Sequence, residues 1–222
     1  MIRVIIICEG PTEREFCNKI LAPYFSPMGI YIEAPVIKHS HGGIVPWRYL
    51  HRQIDIHLRS DQNAYVTTLI DYYGISDKHE FPCWEEAKKR ANAVERVSMI
   101  EDGMLSSVGD SMRPRFIPYI QLHEFEGLLF SNADVFEKVI PEGDLVGVEE
   151  LQKTIAEYDN PEMINTSKET SPSHRLERIV KGYDKVVYGN YIAESIGLTK
   201  IRERCPRFNE WITKICELKE LQ

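Results

Sequence analysis

Apolar and polar positions along the chain change their period several times, and each change marks an element. Ile2–Cys8 is a short apolar run rich in β-branched residues, the pattern of a central strand. Pro11 and Thr12 then open a helix whose apolar stripe runs through Phe16, Ile20, Leu21 and Tyr24 and ends near Pro27-Met28-Gly29. Ile30–Ile37 predicts a second strand, the glycine-bearing "SHGGIVPW" a loop, and residues 47–58 a helix. Ala64–Ile70 predicts a third strand, which runs straight into Asp71. From Trp84 to about Met104, Ala87, Ala91, Val94, Val97 and Ile100 recur near helical spacing and predict one long amphipathic helix. Arg115–Gln121 predicts a fourth strand, followed by a short helix in "LHEFEGLLF".

Beyond about Ser131 the strand patterns fade. Helical segments are predicted at Val135–Ile140, Val148–Tyr158, Arg175–Val180, Tyr191–Ile196 and Phe208–Leu221, with a polar Ser/Thr-rich loop over Asp159–His174. Strands that alternate with helices predict an α/β fold, a mostly parallel sheet flanked by helices. The expected division is an α/β domain over residues 1–131 and a helical C-terminal extension over 132–222 packed on it. No internal repeat is visible.

Composition narrows the function classes. Of 222 residues, 43% are hydrophobic and 27% charged, the proportions of a globular protein. No apolar run reaches the roughly 20 residues of a membrane helix. Ile2–Cys8 is too short for a signal-peptide core, and Glu9 follows it where small residues would stand, so a cytoplasmic location without membrane attachment is expected. The five cysteines are scattered, odd in number and lack a C-x-x-C pair, which argues against a disulfide framework and a zinc knuckle. The formal net charge of −7 argues against a simple nucleic-acid-binding module, because such a module is held by phosphate contacts and is basic.

The candidate chemistry lies at the strand ends. Glu9 follows the first strand, Asp71 the third, and His123-Glu124-Phe125-Glu126 the fourth. In an open α/β sheet, ligands bind in the groove outside the carboxyl ends of the strands. Carboxylates brought together there within about 5 Å repel by several kcal/mol per pair at an effective dielectric near 20, so they protonate or hold a divalent cation. Hard oxygen ligands without a cysteine pattern favour Mg²⁺ or Mn²⁺ over zinc. Taken singly, each acid also has a structural reading. Glu13, for instance, stands in the first turn of a helix, where the positive end of the dipole attracts it.

Three segments in order, "CEGPTEREF", "TTLIDYYG" and "QLHEFEGLLFS", resemble domain-of-unknown-function family 4276, which is similar to the Toprim domains of topoisomerases, bacterial primases and overcoming-lysogenization-defect nucleases. The tail segments "SPSHRLERIVKGYDKVVYG" and "CPRFNEWI" look typical of it as well. The resemblance implies a Toprim-like sheet with a glutamate after the first strand and a D-x-D pair after a later one. Glu9 matches that glutamate, Glu13 the extra acid of the nuclease branch's E-G-x-x-E pattern, and Asp71 the first aspartate. The second aspartate position is Tyr73, which is not an ordinary ligand for Mg²⁺. Glu124 or Glu126 is expected to supply the missing carboxylate, and spacing does not choose between them.

The implied function is a Mg²⁺- or Mn²⁺-dependent nuclease that hydrolyses phosphodiester bonds in nucleic acid, DNA ahead of RNA, in a bacterial phage-defence or repair system. Glu9, Glu13, Asp71, Glu124 and Glu126 would hold metal. His123 would orient a ligand or shuttle a proton, with a structural hydrogen bond as its alternative. Arg175 and Lys185 would stabilise developing phosphate charge or merely be solvated. "SHGG" would clasp a phosphate through backbone N–H groups. The resemblance also implies an ATPase partner, which would fit the lack of a G-x-x-x-x-G-K-[ST] segment in this sequence. Two other readings stand beside this one. The first is a Toprim-like phosphotransferase or phosphohydrolase acting on a small phosphorylated molecule. The second is a catalytically degenerate regulatory subunit of an ATPase, docked through the stripe Trp211, Ile212, Ile215 and Leu218, which otherwise is packed core.

Overall fold

The computed structural model describes residues 1–38, 43–165 and 167–221. Among them the first 122 form a parallel sheet with helices on both faces. Strand β1 is Ile2–Cys8, and helix α1, Pro11–Phe16, continues through a wider π turn at Cys17–Leu21 into α2, Ala22–Phe25. Gly29, at φ 75°, takes the left-handed conformation that ends this stretch and turns the chain into β2, Ile30–Glu33. Then follow α3 (Trp47–Ser60), β3 (Ala64–Asp71), α4 (Trp84–Ala87), α5 (Ala93–Ser107), β4 (Phe116–Ile117) and β5 (Ile120–Gln121). The strand order is β2-β1-β3-β4, with β5 also paired to β3, and every pairing is parallel.

Alternation along the strands separates two core layers. Ile5 and Ile7 of β1 and Val66 and Ile70 of β3 pack with Leu50, Ile54 and Leu58 of α3 and Val97, Ile100 and Met104 of α5. On the other face Cys8 meets the first helical stretch, its Sγ 3.7 Å from Cys17 Sγ. Phe16, Leu21 and Phe25 of that stretch are fully buried.

Three predicted elements differ in extent, each for a local reason. The second strand stops at Glu33, because Pro35 cannot donate to the ladder; pairing resumes as a single bridge between Cys8 and Val36. The fourth strand splits at Pro118. There Thr68 Oγ1 stands in for the ladder, accepting from Tyr119 N–H at 3.1 Å and donating to Tyr119 C=O at 2.7 Å. The long helix from Trp84 is two helices, α4 and α5, because Asn92 caps the second by accepting from Val94 N–H at 2.8 Å.

The chain divides into two compact units, Met1–Leu122 with the stretch from Lys214, and His123–Thr213. The second is helical. It opens with a 3₁₀ stretch, Phe125–Ser131, and continues through α6 (Phe136–Val139), α7 (Val148–Glu157), α8 (Pro172–Ile179), α9 (Val187–Ile196) and α10 (Leu198–Arg204) into α11 (Pro206–Glu217). Helix α10 has no counterpart among the predicted segments; Gly197, at φ 79°, separates it from α9. Glu162, 1% exposed, takes the N–H groups of Arg207 and Phe208 at 2.8 and 3.1 Å, which satisfies the otherwise orphaned start of α11. Trp211, Ile212, Ile215 and Leu218 are all buried. No helix among the described residues is long and apolar enough to cross a membrane.

Candidate active site

The first group of acids sits where β1 and β3 end side by side. Register pairs Cys8 with Leu69, so the next residues, Glu9 and Ile70-Asp71, emerge together at the carboxyl edge. Glu9 N–H donates to Leu69 C=O at 3.0 Å, and Asp71 N–H donates to Glu9 Oε2 at 2.9 Å. That backbone donor fixes one oxygen of Glu9 beside Asp71. The other oxygen, Oε1, faces two glycines: a Cβ at Gly74 would lie 3.7 Å from it and 3.3 Å from Ile44 Cγ2, and a Cβ at Gly43 would lie 4.0 Å from it. Gly43, at φ 115°, holds a conformation that side chains rarely adopt, so at this residue the chain approaches the carboxylate as bare backbone. Glu9 and Asp71 are both half-buried.

Glu13 stands one turn further on and is buried. Its Oε2 accepts from Gly10 N–H at 2.8 Å, the reciprocal half of a capping box at the start of α1. Tyr73, at the second D-x-D position, is 43% exposed.

The second group lies in the helical unit. Glu124 is committed within it, with Oε2 taking Ser173 N–H at 2.9 Å and Oε1 taking the Ser173 hydroxyl at 3.0 Å. Glu126, 3% exposed, pairs with Lys185 Nζ at 3.0 Å. Burial raises the Glu126 carboxyl above the usual carboxylate range; Lys185 pulls it back and Glu124 adds to the rise. The Tyr183 hydroxyl is buried without a hydrogen-bond partner among the described residues, and burial and then Glu126 push its pKa well up.

The remaining predicted residues have local duties. Arg175 donates to Thr170 C=O at 2.8 Å and to Thr154 Oγ1 at 2.9 Å, which ties α8 to α7 and to the loop before it. His123 has a left-handed backbone, φ 64°, and its Nδ1 lies 3.5 Å from Asn165 Nδ2. Of the predicted phosphate clasp "SHGG", Ser40, His41 and Gly42 lie outside the described residues. Sequence reasoning passed over Ser173, Tyr183 and Gly74. The first two stand in the tail segment "SPSHRLERIVKGYD" and the third closes "TTLIDYYG", so a signal was present, although nothing in the spacing said which neighbour each would serve.

The donor set bears on the choice of metal. Glu9 and Asp71 are carboxylate residues at neighbouring strand ends, a hard-oxygen donor type that suits Mg²⁺, an ion that keeps several waters and takes one or two carboxylates beside substrate phosphate. Among the described residues no group of three or more His, Cys, Asp or Glu side chains is arranged to hold a metal ion.

A family model described as a domain of unknown function (DUF4276) matches residues 8–216. Among solved structures the chain is similar to the C-terminal region of the OLD protein of Xanthomonas campestris pv. campestris, at 16% identity over 99% of this chain and 95% of that one, with a TM-score of 0.47. Comparison with curated proteins found no match.

Proposed function

The chain belongs to the DUF4276 family, and on that premise we propose that it is a divalent-metal-dependent nuclease of Toprim type, acting on DNA. The observation that carries the reading is the pair of acidic residues at adjacent strand ends, Glu9 and Asp71, with Glu9 Oε2 held by the Asp71 backbone N–H at 2.9 Å. Mg²⁺ or Mn²⁺ bound there would supply water activation and charge neutralisation at a phosphodiester. The chain's own residues do the rest. Glu9 and Asp71 would bind the ion, with Asp71 N–H fixing the orientation of Glu9, and the backbone at Gly43 and Gly74 comes close to Glu9 Oε1. Glu13 secures the turn that aims Glu9. In the helical unit the buried Glu124 bonds Ser173, the buried Glu126 pairs with the half-exposed Lys185, and Arg175 braces α8. An ATPase partner in a defence or repair system belongs to the same proposal.

The test is cleavage of supercoiled plasmid, single-stranded DNA, RNA and nucleotides with Mg²⁺ and with Mn²⁺, for wild type and Glu9→Ala. DNA cleavage that depends on metal and falls at least 100-fold in the variant is the expected result. Cleavage of small phosphate esters alone would replace the nuclease with a phosphohydrolase. One observation favours the non-catalytic reading: Tyr73 stands exposed at the position where an acid is expected. If calorimetry detected no metal binding to either protein, the chain would be a regulatory subunit.

A further inference from the structure

At −7 overall, the chain repels polyanions, so a nucleic-acid substrate needs a local cationic surface to reach the acids at all. Helix α3 carries such a surface. Its buried side is apolar (Trp47, Leu50, Ile54 and Leu58), and Arg48, Arg52 and Arg59 are exposed. At 100° per residue those three arginines fall within about 40° of arc, one stripe along the helix. Tyr49 and Ile56, 42% and 48% exposed, lie along its flank.

We propose that this face of α3 is the phosphate-contacting surface that delivers a DNA backbone to the Glu9–Asp71 edge. The inference rests on the nuclease reading and adds the substrate-binding surface to it. Three observations support it. First, the stripe is cationic in an acidic chain. Arg52 makes no hydrogen bond or ion pair among the described residues; Arg48 reaches exposed Glu80 at 3.4 Å and lies over the Tyr49 ring at 4.8 Å, and Arg59 reaches the part-exposed Asp55 at 3.9 Å. Exposed pairs of that length hold the guanidinium groups weakly, so phosphates can displace them. Second, α3 starts a short way along the chain from a residue that borders the acid site. Ile44, which borders Gly74 and hence Glu9 Oε1, is three residues ahead of Trp47, the first residue of α3. Third, its length suits a duplex. Arg48 to Arg59 spans about 16 Å at 1.5 Å per residue, the rise of roughly five base pairs. Its far end opens onto a groove of about 590 Å³, lined in part by Arg59, Gln62, Ser111 and Arg115.

The test is fluorescence anisotropy of a labelled duplex between 50 and 200 mM salt, with Ca²⁺ replacing Mg²⁺ to stop cleavage. The proteins are wild type, the triple variant R48A/R52A/R59A, and a charge-matched control, K138A/K200A/K219A. Three lost phosphate contacts should flatten the slope of log K against log salt by about 2.7, so the variant should lose about 40-fold less affinity than wild type across that range. The control should follow wild type. A variant that binds duplex with the wild-type slope, or a control that weakens equally, would overturn the surface while leaving the nuclease standing. Wild type that binds no nucleic acid would remove both. Wild type that binds an acidic protein through the arginines, and not DNA, would reassign the face to that partner.

Discussion

Replacing Lys185 with methionine separates a role in holding a buried charge from a role in meeting phosphate. Lys185 Nζ lies 3.0 Å from an oxygen of Glu126, whose side chain is 3% exposed while the lysine is 49% exposed. Two unit charges at that distance attract by about 5 kcal/mol at an effective dielectric of 20. Breaking a fully buried pair from one side costs about 3–5 kcal/mol, because the remaining charge is stranded. Half of Lys185 is in water, so screening reduces the expected loss in Lys185→Met to about 2 kcal/mol at pH 8. In a chain of this size that is a fall in Tm of about 4–8 °C. The sign with pH follows from Glu126. Burial raises its carboxyl above the ordinary 4.5, so the folded state holds the proton more tightly than the unfolded chain does, and keeping the carboxylate charged costs stability as pH rises above that value. Losing Lys185 raises the cost further. The deficit should therefore be full at pH 8 and shrink as pH falls through the raised value towards 4.5, where the folded state holds Glu126 mostly protonated. Glu126→Gln strands only a solvated lysine and should melt no lower than wild type at pH 8. Thermal melts of the three proteins at pH 4.5 and pH 8 decide the matter. A Lys185→Met deficit equal at both pH values, or absent at pH 8, would refute the charge-holding role.

Other outcomes follow from single contacts. Thr68→Val leaves the buried N–H and C=O of Tyr119 without the hydroxyl that serves both, at about 1–3 kcal/mol each, so the urea midpoint should move by roughly 3 kcal/mol of stability. Glu13→Gln keeps a capping-box acceptor and should stay within about 0.5 kcal/mol of wild type, whereas Glu13→Ala should lose about 1 kcal/mol; activity lost in the glutamine variant despite its intact cap would show that the charge itself matters. Tyr73→Asp restores the second acid of the D-x-D pattern on an exposed position and should tighten Mg²⁺ binding about tenfold by calorimetry, or about 1.4 kcal/mol.

Much of the sheet was legible because burial on both faces leaves an unmistakable mark. Ile2–Cys8 and Ala64–Asp71 are nearly continuous apolar runs, and they are the two central strands. The breaks were harder to read. Pro118 interrupts the fourth strand, yet the substitute partner, Thr68, lies 51 residues away and has no local signature. Asn92 could be seen as a cap only once the helix before it was known to have stopped, since an apolar period that continues across a break reads as one helix. For the site, the placement of acids after strands was visible in one dimension. What Glu124 and Glu126 touch was not, because Ser173 and Lys185 come from turns of chain whose approach depends on tertiary packing.

Glu13 shows why a motif and its bland explanation need not compete. E-G-x-x-E after a strand is the spacing of a capping box, in which the N3 acid returns to the N-cap N–H, and Glu13 Oε2 does this at Gly10. The same contact fixes Gly10, the residue directly after Glu9, and so limits the directions in which Glu9 can point. Glu9 in turn accepts from Asp71 N–H, so the orientation of the first acid is set from both sides, by the helix start and by the neighbouring strand. A carboxylate with one oxygen fixed by a backbone donor has little conformational entropy left to lose when a ligand arrives, which is what a preorganised binding group requires. The structural duty of Glu13 is therefore a precondition of the chemistry proposed for Glu9, and a substitution that spares the cap while removing the charge is the one that tells them apart.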